Sequence, residues 1–187
     1  MKKTILILIL TILSACEKPT EIENPNGIFT DADIADLNWM VTKFDEILES
    51  EYKTKVLKDA YRDYSNAVWK GLNEEQPPYI PIPNGLDSLK NKVKELGVFS
   101  KIWSTWKEKP EDLEIYNIGQ KPYLTYLKEL GKKSDFIDEY AQSLTNSGDI
   151  MPSVVAGFAK NIENIDLKDK NNRLIFSIHY LTLMSRL

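Results

Sequence analysis

From Thr30 to the C-terminus the apolar residues of this chain recur every three or four positions, the spacing of helices that bury one face. Ile34, Leu37, Val41, Phe44 and Leu48 form the first stripe. Thr30 suits its N-cap, and Asp31, Asp33 and Asp36 suit its positive end. A second stripe, from about Lys53 to Lys70, takes in Val56 or Leu57, Ala60, Tyr61, Tyr64 and Val68, with Gly71 as a C-terminal stop. Glu49-Ser50-Glu51 contains no strong breaker, so two helices and one long helix are both compatible with this stretch.

Residues 76–85 read Gln-Pro-Pro-Tyr-Ile-Pro-Ile-Pro-Asn-Gly, where four prolines exclude a helix and favour an extended path. Helical spacing then resumes. Leu86, Leu89, Val93 and Leu96 stop at Gly97, and Phe99, Ile102, Trp103 and Trp106 stop at Pro110, which also suits the start of a short segment from Glu111 to Tyr116. Tyr123, Leu124, Tyr126 and Leu127 lie before Gly131. Ser134 suits the cap of a stripe of Phe136, Ile137, Tyr140 and Leu144, and Pro152 opens one of Val154, Val155, Phe158 and Ile162. Asp166 is the expected cap of a last helix bearing Leu167, Asn171, Leu174, Ile178 and Leu181 on one face. No alternating β-branched run is long enough to predict a strand, and no residue set recurs at a fixed period of 30 to 45 positions. The expected fold is all-α, an irregular bundle of about seven to nine helices with one proline-rich extended connection at residues 76–85.

Composition fits one compact domain: 42% hydrophobic, 10% aromatic and 28% charged residues in a chain of 187. The segment before it is different. Met1-Lys2-Lys3 is a basic head, Thr4 to Ile12 is apolar, and Leu13-Ser14-Ala15-Cys16 ends in the only cysteine of the chain. This is the layout of a secretory signal, and the apolar run is too short for a permanent membrane-spanning helix, which needs about 20 residues. The junction resembles the lipobox of bacterial lipoproteins. The resemblance covers residues 1–16 only and implies that Cys16 receives a diacylglyceryl group, that cleavage precedes it, and that the new amino terminus is acylated. An ordinary cleaved signal with an incidental cysteine is the competing reading.

The expected division is therefore a signal peptide at 1–15, a lipid-anchored tether at 16–29 and a single helical domain at 30–187. The polar, proline-bearing tether would reach some 40 to 50 Å at full stretch. With Cys16 lipidated, no thiol remains for a disulfide, and packing alone must hold the fold. Loss of Lys2 and Lys3 would leave 22 basic residues against 28 acidic ones, a net charge near −6. That balance suits neither nucleic acid nor an anionic membrane surface, and would suit a basic partner.

Chemistry-bearing patterns are sparse. His179 is the only histidine, so it reads first as a core imidazole bonded to a backbone or tyrosine oxygen, and second as a catalytic group. With Cys16 at the lipid junction, the usual zinc ligands are not assembled, and no metal or cofactor is expected. Asp166-Leu167-Lys168-Asp169-Lys170 puts lysines where a calcium loop needs oxygen ligands. Asp138 and Glu139 are possible acid/base groups that also read as a solvated helix face. No glycine-rich phosphate loop, serine elbow or His-Glu-x-x-His motif occurs.

Aromatic residues give the positive signal, because Trp and Tyr are enriched in binding hot spots. Tyr79, Trp103 and Trp106 are the candidate binding residues. Tyr79, Ile80 and Ile82 either present a stiff ridge to a partner or pack across the helices. The expected function is that of a lipid-anchored protein in the periplasm or on the cell surface, attached to the membrane through acylated Cys16. It binds another envelope protein without catalysis, an immunity or inhibitor protein being one form. The alternative is an envelope hydrolase or a glycan-binding lipoprotein.

Overall fold

The computed structural model describes residues 21–74 and 79–187. The lipobox and Cys16 lie outside the described residues, as do residues 76–78 of the proline-rich connection. Within them the chain is all-α, with eight α-helices and one small hairpin: α1 (Asp31–Tyr52), α2 (Leu57–Glu74), α3 (Leu86–Val93), α4 (Phe99–Ile102), β1 (Trp103–Trp106), β2 (Ile115–Ile118), α5 (Lys121–Gly131), α6 (Asp135–Ser147), α7 (Pro152–Lys160) and α8 (Lys170–Met184).

Thr30 closes the start of α1 in a capping box: its hydroxyl accepts from Asp33 N at 3.2 Å, and the Asp33 carboxylate accepts from Thr30 N at 2.7 Å. Lys101 also pairs with Asp33. The helix ends where Lys53 turns left-handed, at φ 52°, and the chain folds back. Two helices thus form rather than one. An uninterrupted rod would leave both stripes in water, whereas the break lets Phe44 of α1 meet Tyr61 and Tyr64 of α2 at ring separations of 5.9 and 6.4 Å. The second helix also runs past Gly71 to Glu74.

The last helix departs from the one-faced stripe predicted for it. From Leu174 to Ser185 every side chain is buried, so α8 is the axis around which α1, α3 and β2 pack. Its cap is Asp169, whose carboxylate accepts from Asn171 N at 2.8 Å, and not Asp166, which instead closes the preceding turn onto Lys168 N. Along α8, Phe176 is packed edge-on against Tyr61 at 4.8 Å and Tyr180 against Tyr64 at 4.8 Å.

Two other expectations need correction. The stripe from Phe99 to Trp106 is helical only as far as Ile102. It then extends into β1, which pairs antiparallel with β2 in the register Trp103 with Ile118, Thr105 with Tyr116 and Trp106 with Ile115. Helical spacing of apolar residues does not by itself exclude a strand this short. The boundary drawn at residue 30 is also too late. Ile22 and Phe29 belong to the core, and Glu23 N donates to the buried Asn171 Oδ1 at 2.8 Å, so the packed body starts within the stretch assigned to the tether. The other partner of Asn171 Oδ1 is the Tyr126 hydroxyl, at 2.8 Å.

Close approach fixes one glycine. A Cβ on Gly131 would stand 2.9 Å from Asp138 Cα, so the turn from α5 into α6 closes only without a side chain there. Among the described residues no helix is long and apolar enough to cross a membrane.

Candidate functional site

The hairpin presents two unlike faces because side chains alternate along a strand. Its inner face carries Trp103, Tyr116 and Ile118, all buried. Its outer face carries Trp106 and Ile115. Three hydrogen bonds dock the inner face onto the rest of the molecule. Trp103 Nε1 donates to Thr182 Oγ1 at 2.7 Å, Tyr116 N donates to Ser185 Oγ at 2.8 Å, and the Tyr116 hydroxyl donates to the Lys90 carbonyl at 2.7 Å. Phe99 packs on both aromatic rings, at 5.3 and 5.2 Å. The hairpin is thus a fixed platform.

Of the three aromatic residues singled out by sequence, Trp103 is 2% exposed and belongs to the core, whereas Trp106 is 51% exposed on the outer face. Tyr79 is 45% exposed. The proline segment divides, with Ile80 and Pro83 turned inward and Tyr79 and Ile82 outward. It is held by the Tyr64 hydroxyl, which donates to the Pro81 carbonyl at 3.3 Å, and by Glu51, which accepts from Asn84 N and Nδ2. Tyr79 and Trp106 are therefore positioned by different elements. Among the described residues no ring contact or hydrogen bond joins them.

His179 takes the core role. It is fully buried, stacks on Phe158 at 4.3 Å with an interplanar angle of 5°, and has Nδ1 3.4 Å from the Tyr140 hydroxyl. Among the described residues Nε2 has no partner. Burial, reinforced by the nearby positive charge of Arg186, pushes the imidazole pKa down to about 3, so the ring is neutral.

Sequence reasoning missed the groove on the far side of those rings. It runs between α6 and α7, has a volume of about 240 Å³, and is lined by Phe136, Glu139, Val154 and Asn161 over the almost wholly buried Tyr140 and Phe158. Gly157 adds no side chain, and a Cβ there would meet no heavy atom within 4 Å. The separate apolar stripes of α6 and α7 were visible in sequence, but nothing marked them as facing each other. Asp138 is held by Gln142 Nε2 at 2.7 Å, while Glu139 accepts no ion pair among the described residues. The opposite wall, Pro152–Lys160, contains no carboxylate, so the two acids are not placed across a cleft.

A second depression lies between the start of α2 and residues 163–168. Its Arg173 is committed to structure, with Nε on Asp45 at 3.3 Å and Nη1 on the carbonyls of Leu167 and Lys168. Asp45 also accepts from the Tyr61 hydroxyl at 2.6 Å, and its own burial raises its pKa despite both partners. Among the described residues no three His, Cys, Asp or Glu side chains are grouped as metal ligands would be. Compared with known proteins, the chain matches no family model, no curated protein and no solved structure.

Proposed function

We propose that this chain is a lipid-anchored protein of the bacterial cell envelope that binds another envelope protein without catalysis, as an immunity or inhibitor protein does. The address rests on Leu13-Ser14-Ala15-Cys16 after a basic head and an apolar run. The binding role rests on Trp106, a large aromatic residue left half in water on a platform whose other face is bonded into the core. An exposed tryptophan with two side-chain torsions on a paired strand loses little freedom when covered, which is what a hot spot requires. Acyl chains at Cys16 would hold the domain at the membrane, since two or more chains anchor stably.

Two measurements test this. The native protein should incorporate labelled palmitate and sediment with membranes, and Cys16→Ala should do neither. A photo-crosslinker at position 106 should trap one envelope protein that the Trp106→Ala protein no longer retains. The alternative of an envelope hydrolase or glycan binder draws on Glu139 beside the aromatic groove. If Glu139→Gln or His179→Phe removes a hydrolytic activity of the purified protein, that alternative stands and the binding proposal falls.

A further inference from the structure

The two edges of the hairpin are unlike. Tyr116 N donates to Ser185 Oγ, away from β1, and α8 packs against β2, so that edge is closed. Trp103 N donates to the Phe99 carbonyl, away from β2. Trp103 with Ile118 and Thr105 with Tyr116 are therefore the non-hydrogen-bonded pairs of the antiparallel ladder, and the Thr105 N–H and C=O point outward from the other edge of β1. Among the described residues nothing bonds either group.

An extended main chain with an unmatched donor and acceptor is a template for one more strand. Folds commonly guard such an edge with proline or charge. Ser104, Thr105 and Trp106 supply neither, and all three are exposed. A strand added here would set one side chain opposite Trp106 on the outer face, within reach of the indole. Charge beyond the strand indicates what else it would carry. Residues 107–114 hold four acids and two lysines, and Glu108 and Glu111 have no ion pair among the described residues. A second copy of the chain would bring the same acidic turn and a net charge of −4 against its own kind, whereas a basic segment is attracted.

We propose that the free edge of β1 receives an extended segment of the partner protein as a third strand, bonded through the Thr105 N–H and C=O, with an apolar residue on Trp106 and a basic residue toward Glu108 and Glu111. This inference rests on the protein-binding reading above and assigns the partner's binding element, an exposed basic and apolar strand.

The probe is a capped heptapeptide, Lys-Val-Thr-Val-Thr-Val-Lys, titrated into the full-length, isotope-labelled protein. Saturable shifts at Ser104 to Trp106 and at Ile115 are expected, with solvent exchange of the Thr105 amide slowed at least about tenfold at saturation. N-methylation of both threonines removes the donors that would face β1 and should weaken binding at least about tenfold. Glutamate in place of both lysines should weaken it about two- to fivefold. Thr105→Pro should abolish it and leave the Ser104 and Asn117 amide signals in place, since proline is tolerated where an edge N–H faces solvent. The N-methylated peptide asks the same question without altering the protein. No saturable shift at Thr105, equal binding of the N-methylated peptide, unchanged binding in Thr105→Pro, or a dimer of the protein formed through Thr105 would each overturn the proposal. Crosslinking from position 106 separates the two readings: a partner still trapped by Thr105→Pro sinks the added strand alone, and no partner trapped by the unaltered edge sinks the binding role itself.

Discussion

Trp103 and Trp106 occupy the two ends of one four-residue strand, yet the first is 2% exposed and the second 51%. Strand parity separates them. An odd number of steps turns the second indole to the opposite face, away from Thr182 and Phe99. The comparison shows that residue type alone does not decide exposure; strand parity on a firmly held backbone does.

The strongest way to break this contrast is to remove each indole in turn. Trp103→Ala should cost about 3 to 5 kcal/mol of stability in urea unfolding, the range for deleting a buried aromatic side chain. A loss under about 1 kcal/mol would mean the inner face is not core. Thr182→Val keeps the shape but removes the oxygen that accepts from Trp103 Nε1, and should cost about 1 to 3 kcal/mol for a buried donor left unmatched.

His179 extends the comparison to a buried group that titrates. Its folded pKa, about 3, lies below the ordinary 6.5, so between those values the unfolded chain holds a proton that the folded one refuses. Stability from this group is therefore full above about pH 6.5 and declines as pH falls, by about 1.4 kcal/mol per pH unit midway through the window. His179→Phe should flatten that slope between pH 5 and pH 6 in denaturant titrations, and an unchanged slope would refute the buried, neutral imidazole. The smallest effect on stability belongs to Trp106→Ala, within about 0.5 kcal/mol, as for surface positions generally. Partner retention should nevertheless be lost.

Much of the bundle was legible in sequence because helical spacing and caps are local signals. Thr30, Ser134 and Pro152 start the helices they were expected to start. The errors lie where distant contacts overrode local pattern. The strand at Trp103 pairs with β2, and the hairpin is docked by distant residues: Thr182 accepts from Trp103 Nε1 and Ser185 accepts from Tyr116 N, 79 and 69 positions on. Asn171 clasps Glu23 across 148 positions, and no local rule would have drawn residues 22–29 into the core. Of the candidate aromatics, Trp106 and Tyr79 are exposed and Trp103 is not, a distinction that depends on strand register and so had no signature in spacing. The groove was hidden for a related reason: Phe136, Tyr140 and Phe158 were each visible as stripe residues, and only the packing of α6 against α7 brought their rings together.

That clasp has a geometric consequence. Ile22, the first core side chain among the described residues, stands six positions after Cys16, and a fully drawn-out chain covers about 3.3 to 3.6 Å for each step. Once acylated, the protein would be moored on a leash of roughly 20 Å, about half the reach expected of the tether. It would ride against the lipid headgroups with its amino-terminal corner facing them, and a partner would have to approach from the aqueous side.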